Sequence, residues 1–345
     1  MPLRRADVIW TRFETWLAVV VLGLEVSSLT LWVFLKGLST PSTSGSAGGL
    51  VFRAAAGMMV LGIGTWWGLR RSPEATRVRA TMVAMAVGAL GAKAWADFGV
   101  SYTSNLLNWY QQACTLTLFG GLRGIGTRLT LLLTILGGSL ATARGKHITI
   151  DLVQRFTSDR IRLPLVVLGW FGSAYICIVL AWGFFDHIAI ENFGSKADAS
   201  AGQKIARVGH ELEEQFFIFR KQIELDLKAT PHVVFSAQPY AEWFKGSDWN
   251  EWVQGAGFTE RYGAEAVKGI LVPPDDTRAP FVIVPGRGEP RGELINSANL
   301  VYPIGFLIIA VRFILRSLLA LARHVSVDPD EEADFTDEIP EQGKA

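Results

Sequence analysis

Small and charged residues lie together at the end of one apolar segment, which reads LGGSLATARGKHITIDLV. Its adjacent glycines, Gly137 and Gly138, would let the backbone of a membrane helix approach another helix closely, because they carry no side chain. The side chains that follow, Arg144, His147 and Asp151, offer charge and hydrogen bonds at the level of the lipid headgroups. The segment predicts a helix contact, either within this chain or with another subunit.

Two more charged residues, Glu25 and Arg312, fall inside apolar segments. An unpaired ion in the hydrocarbon core is unfavourable by about 2.5 kcal/mol or more, so such residues usually find partners. Counting 1.5 Å per helical residue from the cytoplasmic side puts both at a similar depth. The spacing predicts an ion pair between the first and last membrane helices, and binding of a coupling ion or proton is the alternative.

The remaining reactive residue types do not form a recognisable catalytic or metal site. The chain has two cysteines, Cys114 near an apolar segment and Cys177 inside one, and five histidines, no histidine being in the middle of an apolar segment. There is no GxxxxGK[ST] sequence for binding nucleotide phosphates, and no nucleophile stands beside a base. We therefore expect no catalytic residues, no metal and no cofactor.

The composition is that of a protein whose solvent is largely lipid. Half of the 345 residues are hydrophobic, the mean hydropathy is +0.27 and the net charge is +1. A nucleic-acid groove requires a basic face, which this near-neutral chain does not predict. The sequence indicates a polytopic membrane protein and argues against a nucleic-acid partner.

Six apolar segments approach the roughly 20 residues that cross a bilayer. They are Trp16–Leu35, Leu50–Leu69, Ala80–Val100, Leu129–Ala143, Leu163–Phe185 and Leu300–Leu321. The fourth is short and follows the glycine-rich sequence GGLRGIGTR. The predicted fold is an all-α polytopic membrane protein of about six transmembrane helices.

The short connections that are rich in arginine and lysine set the expected orientation. Basic residues precede the first segment and lie between the second and third and between the fourth and fifth. The positive-inside rule places these connections and both termini in the cytoplasm. It also places the long segment between the fifth and sixth helices on the other side of an inner membrane.

The predicted domains are a membrane domain at 1–189, a periplasmic α+β insertion at 190–298, a last transmembrane helix at 299–323, and an acidic tail at 324–345. The insertion begins with a helical pattern and continues to short β-like runs such as Phe281–Val284. Its tryptophans, Trp243, Trp249 and Trp252, either pack inward as a self-contained cap or form a docking surface. The tail is too acidic and too poor in apolar residues to fold alone.

Glu14, at the start of the first helix, together with the LGGSLATARGKHITIDLV segment resembles the small membrane (Q) subunit of tripartite ATP-independent periplasmic (TRAP) transporters. The matching positions are Gly137, Ala141, Arg144, Gly145, His147, Ile148 and Asp151. That family has a core of four spans, so the second and third apolar segments look like an insertion, as does the long external segment. The acidic pair usual before its second core helix is missing here.

The resemblance implies a small permease subunit that scaffolds a large permease (M) subunit and works with a periplasmic solute-binding (P) protein. It further implies sodium-driven, receptor-dependent uptake of a small organic acid. In this interpretation Gly137, Gly138, Arg144, His147 and Asp151 are candidates for the partner interface. The alternative function is a membrane-anchored periplasmic binding or sensory module, whose active part would be the external segment.

Overall fold

The computed structural model describes residues 2–41, 48–143 and 159–322. Its fold is mainly helical. The α-helices are α1 Pro2–Leu38, α2 Gly48–Gly68, α3 Glu74–Leu90, α4 Ala96–Gln112, α5 Gly121–Ala143, α6 Asp159–Glu191, α7 Ala201–Thr230, α8 Gly246–Gly255, α9 Phe258–Tyr262, α10 Ala264–Lys268, α11 Leu294–Ala298 and α12 Val301–Leu321. The acidic tail, 324–345, lies outside the described residues.

Within the described ranges, five helical segments are long and apolar enough to cross a membrane, or up to six if α3 and α4 together count as one. The five lie in α1, α2, α5, α6, and α11 with α12. The chain is therefore an all-α polytopic membrane protein. The predicted number of six spans depends on the α3–α4 pair.

The prediction of one continuous helix over Ala80–Val100 is wrong. Helix α3 ends at Leu90, a 3-10 turn covers Gly91–Lys93, and α4 leaves at an angle of 83°. The ring of Trp95 folds back against Gly99, where an added Cβ would overlap it. The hydrophobic run thus continues through a bend that hydropathy alone does not detect.

Two membrane helices begin earlier than predicted. Helix α1 starts at Pro2 rather than Trp16, so Glu14 lies well inside it. Helix α5 starts at Gly121, and the glycine-rich sequence forms its first turns. Gly120 and Gly121 have φ values of +83° and +76°, a conformation that glycine adopts readily and that lets the chain turn into the helix.

The described residues form two compact units. The first comprises those within Met1–Glu25, Thr127–Leu212 and Asn296–Ala345. Its core includes a cluster between α6 and α12, in which Trp170 and Ala174 contact Phe313 and Ala320. This unit holds most of the residues that the sequence singles out for function.

The second unit comprises the described residues of Val26–Gly126 and Glu213–Ile295. Its main core joins α4 and the following turn to much of the predicted external insertion. Buried members include Trp109, Leu118, Leu225, Trp249 and Phe281. Residues 213–295 therefore share a hydrophobic core with residues that come before α5.

Polar contacts at a buried glutamine tie this core together. Gln222, fully buried on α7, donates from Nε2 to the Pro280 carbonyl oxygen at 3.0 Å and to Asp226 Oδ1 at 2.9 Å. Its Oε1 accepts the N–H of Val282 at 2.9 Å. Asp226 Oδ2 accepts the N–H of Thr115 at 2.8 Å. Burial raises the pKa of Asp226, although these hydrogen bonds act in the opposite direction.

The β structure in the second unit is slight. Strands β1 (Phe244–Lys245) and β2 (Thr277–Arg278) form one antiparallel pair. Phe281–Val284 is not a strand, although Val284 forms an isolated bridge with Gly288. The expected α+β insertion is therefore mostly helix and irregular loop.

The tryptophans of the insertion point largely into the second unit's core. Trp249 is fully buried, and its Nε1 donates to the Ile270 carbonyl oxygen at 2.8 Å. The Arg278 guanidinium lies 3.6 Å from the Trp249 ring centroid, and burial lowers the pKa of Arg278 to about 10. This packing favours inward-facing tryptophans over an aromatic docking surface, although the core that they enter also includes α4 and is not self-contained.

Candidate functional site

An arginine and two carboxylates of the first unit form a buried ion network between α1 and α12. Arg312 Nη2 lies 2.6 Å from Glu14 Oε2, and Arg312 Nη1 lies 2.6 Å from Asp7 Oδ1. Arg312 and Glu14 are almost wholly buried, whereas Asp7 is partly exposed. Asp7 and Glu14 are seven residues apart, two helical turns, and so face the same side of α1.

Glu14 also connects α1 to α5. Its Oε1 accepts hydrogen bonds from Trp10 Nε1 at 2.7 Å and from Ser139 Oγ at 2.8 Å. Ser139 follows the two glycines that the sequence singles out, and it is fully buried. One carboxylate therefore holds α1, α5 and α12 together through charge-assisted hydrogen bonds.

The predicted pair of Glu25 and Arg312 is wrong in its first member. Arg312 binds Glu14 and Asp7, while Glu25 Oε1 accepts a hydrogen bond from Thr130 Oγ1 at 2.6 Å. Glu14 precedes Glu25 by eleven residues, about 16 Å along a helix. Counting residues from the start of the apolar run selected Glu25 instead of Glu14. Helix α1 begins well before that run, and its early turns already carry a suitable carboxylate.

A second buried arginine lies one turn after Arg312. Arg316 Nη1 donates to the Thr142 carbonyl oxygen at 3.4 Å, and its guanidinium lies 5.1 Å from the Trp170 ring centroid. These contacts join the end of α5 to α6 and α12. Sequence reasoning missed Asp7 and Arg316, although Arg312 and Arg316 show the i, i+4 spacing of one helix face, and it took Ser139 only as a small residue of the helix contact.

The two candidate glycines of α5 face different surroundings. A Cβ added at Gly138 would make an ordinary contact with Ile309 of α12, so Gly138 faces a helix of this chain. A Cβ added at Gly137 would have nothing within 4 Å, and Gly137 is exposed. Gly137 therefore lies on the outer surface of the unit, where another molecule can contact it.

Small and hydroxyl-bearing residues extend this outer surface along α5. Thr127, Thr130 and Thr134 are exposed and recur with Gly137 at intervals of three and four residues. Small and hydroxyl side chains favour helix–helix contact in a membrane, because backbones can approach closely there. We call Thr127, Thr130, Thr134 and Gly137 the outer α5 stripe.

The other three interface candidates, Arg144, His147 and Asp151, lie outside the described residues. Among the residues that the structure describes, no group of three or more His, Cys, Asp or Glu side chains could hold a metal ion. The buried charges in the first unit instead contact side chains on neighbouring helices. Their arrangement is that of a structural network joining membrane helices.

These helices and their network define the class of an α-helical polytopic membrane protein. Residues 119–205, about a quarter of the chain, match the family model described as the DctQ component of tripartite ATP-independent periplasmic transporters. The matched range contains α5, α6 and the start of α7. No curated protein and no solved structure matches the chain.

The family match confirms the resemblance to the TRAP small permease component that the α5 segment suggests. It indicates a component of a transporter in a membrane, and DctQ is not an enzyme family. The match lies outside α2, α3 and α4 and outside residues 206–295. The helices that the resemblance treats as an insertion are thus also outside the matched range.

Proposed function

We propose that this chain is the small permease subunit of a TRAP-type transporter and scaffolds a large permease subunit. The observation that carries the proposal is the DctQ match over residues 119–205, the region that contains the outer α5 stripe. Gly137 of that stripe is exposed, and a Cβ added there would meet nothing within 4 Å, which suits a docking surface for another membrane protein.

The ion network supports a scaffolding role. A scaffold must hold its helices in one arrangement while a neighbouring subunit moves. Glu14 and Arg312 are buried and paired. Removing one partner of such a pair lowers the free energy of unfolding by about 3–5 kcal/mol, because the other charge stays buried. This coupling fixes α1 against α12 and, through Ser139, against α5.

In this proposal the transporter is driven by sodium and takes up a small organic acid delivered by a periplasmic solute-binding protein. Both termini lie in the cytoplasm of a bacterial inner membrane, and residues 190–298 lie in the periplasm. Arg144, His147 and Asp151 set the depth of α5 at the cytoplasmic interface and complete the contact with the large subunit. These expectations come from the resemblance and from the positive-inside rule.

Uptake measurements test this proposal. Cells that lack this chain are compared with wild-type cells for uptake of ¹⁴C-labelled mono- and dicarboxylates, with and without a sodium gradient. We expect uptake of at least one acid to be lost, to return when the chain is expressed, and to need the gradient. Unchanged uptake together with altered gene expression would contradict the proposal and favour the anchored sensory module.

A further inference from the structure

The length of α3 and of the turn that follows it fits one crossing of the bilayer. Helix α3 and the 3-10 turn Gly91–Lys93 together contain 20 residues, which span about 30 Å, the thickness of the hydrocarbon core. Near the start of α3 the Arg77 guanidinium lies 3.9 Å from the Trp66 ring centroid, an arrangement suited to the headgroup layer. Such a crossing would end at Lys93, at the opposite surface.

Helix α4 leaves this surface at 83° to α3, so it runs closer to the plane of the membrane than across it. Phe98, in its first turn, is exposed, and its ring stacks on Tyr102 with centroids 5.9 Å apart. Farther along α4 the exposed side chains are polar, including Asn108 and Gln111. Phe98 and Tyr102 are thus placed in the headgroup layer, while the rest of α4 suits water.

The same aromatic pair contacts a second element. The Tyr102 hydroxyl donates to the Val234 carbonyl oxygen at 2.9 Å. Val234 belongs to a π-helical turn, Pro231–Phe235, that follows α7. The next residue, Phe235, is 81% exposed, the largest such fraction among the aromatic residues of the second unit that the structure describes.

The turn that carries Phe235 is held firmly against α4. Asn105 Nδ2 donates to the Gln238 carbonyl oxygen at 2.8 Å, and Asn105 Oδ1 accepts the N–H of Tyr240 at 2.8 Å. Ala237 has a φ of +53°, a strained conformation for a residue other than glycine. Because the backbone is tied down and strained here, the exposure of Phe235 is a built feature of the turn.

We propose that Phe235, beside Phe98 and Tyr102, inserts into the boundary between headgroups and acyl chains and docks the second unit on the lipid surface. The occupant is the bilayer leaflet at which α3 ends, because the turn is bound to the helix that emerges from that leaflet. Aromatic rings are favoured at this depth, and moving the exposed ring of a Phe out of water lowers the free energy of the system. The inference does not depend on the proposed transport function.

Spin-label accessibility tests this docking in the full-length chain, reconstituted in bilayers of phosphatidylethanolamine and phosphatidylglycerol. A nitroxide is attached to Phe235→Cys in a Cys177→Ala background, and buried Cys114 is retained. The matched control is Phe216→Cys, which replaces another phenylalanine of the second unit that is 66% exposed. Thermal midpoints equal to that of the wild type show that both variants are folded.

Oxygen partitions into lipid and a nickel chelate stays in water, so the ratio of the two accessibilities reports depth. We expect this ratio at position 235 to exceed the ratio at position 216 several-fold. Equal ratios at the two positions would overturn the proposal. Shielding of position 235 from both reagents would also overturn it and would indicate that a protein partner covers Phe235.

Discussion

Arg312 Nη2 and Glu14 Oε2 lie 2.6 Å apart, and both side chains are almost wholly buried. The pair joins α12 to α1, which lie at opposite ends of the sequence. Glu14 also binds Ser139, so the segment that resembles the TRAP small subunit is joined to the same carboxylate. The family match and the ion network therefore meet in one cluster of helices.

Arg312→Met should lower the free energy of unfolding by about 3–5 kcal/mol, because Glu14 would stay buried without its counter-charge. The double variant Glu14→Gln with Arg312→Met should be destabilised less than Arg312→Met alone, because a neutral amide can be buried without a cation beside it. Thermal unfolding in detergent measures both changes. A single Arg312→Met variant that melts with the wild type would refute this account of the pair.

A second double-mutant cycle serves as the control. Glu25 hydrogen-bonds Thr130 and does not bind Arg312. The effects of Glu25→Gln and Arg312→Met should therefore add within about 0.5 kcal/mol, as expected for residues that do not interact. Strong coupling in this cycle would contradict this account and support the ion pair between Glu25 and Arg312 that their similar depth predicted.

The sequence predicted where most membrane helices lie, because long apolar runs report lipid exposure directly. It did not predict the 83° bend, since apolar residues continue through Ala80–Val100 on both sides of Gly91 and no proline marks the break. It also treated residues 190–298 as a separate insertion. Residues 213–295 instead share a core with α4, a long-range contact that no local pattern records.

The candidate site was predicted in part. The glycine segment of α5 was found from its small residues, and Arg312 from its charge. Glu14 was noted only for the resemblance, because it precedes the apolar run. Asp7 gave no signal of its own and Ser139 only that of a small residue beside the glycines, since a polar residue becomes a partner only when packing brings another polar group to it.

Gly57 and Gly88 make the close contact between α2 and α3. A Cβ added at Gly57 would overlap the carbonyl oxygen of Gly88. Gly57→Ala should therefore destabilise the protein by about 1–3 kcal/mol, the usual effect of overpacking. Gly64→Ala on the same helix is the control, because a Cβ there meets nothing within 4 Å. Equal melting temperatures for the two variants would contradict this contact.

Gln222→Leu should destabilise the second unit, because the buried N–H of Val282 and the carbonyl of Pro280 would each lose a partner. An unsatisfied buried polar group costs about 1–3 kcal/mol. The control is Gln254→Leu, at an exposed position of α8. Chemical denaturation followed by tryptophan fluorescence should show a lower midpoint for Gln222→Leu only, and matching midpoints would argue against the network.

Cys114 should resist alkylation while the protein is folded. Burial raises the pKa of its thiol from the ordinary value of 9.0 to about 12, so almost no thiolate exists at pH 8. Because the folded-state pKa is the higher one, this group's contribution to stability falls as the pH rises from about 9 towards 12. Mass spectrometry after iodoacetamide treatment should find Cys114 modified only in denaturant.

Ser101→Cys provides the matched control, because position 101 on α4 is exposed. It should react with iodoacetamide in the folded protein at pH 8. Equal labelling of Cys114 and of the introduced cysteine, without denaturant, would show that the core around Cys114 is open to water.

Gly137→Leu should weaken association with a large permease subunit at least several-fold, because a bulky side chain would hold the other helix away from the outer α5 stripe. Gly183→Leu is the control, on α6, where an added Cβ also meets nothing within 4 Å. Both variants should fold, and quantitative mass spectrometry of co-purified protein compares them. Equal recovery would place the subunit contact elsewhere on the chain.

A further expectation of the proposed function is that the segment of residues 195–295 contacts the periplasmic solute-binding protein. Deleting residues 195–295 would expose buried residues that they cover, including Trp109 and Leu118. Substitutions at exposed positions of the second unit leave this core intact and therefore separate receptor contact from folding.

The central claim, that the chain is a subunit of a larger transporter, is tested most directly by purifying the tagged wild-type chain from native membranes in mild detergent. Mass spectrometry then identifies the proteins that remain bound. The account predicts a large polytopic permease of the TRAP type in stoichiometric amount. Recovery of the chain alone, or with signalling proteins, would contradict it.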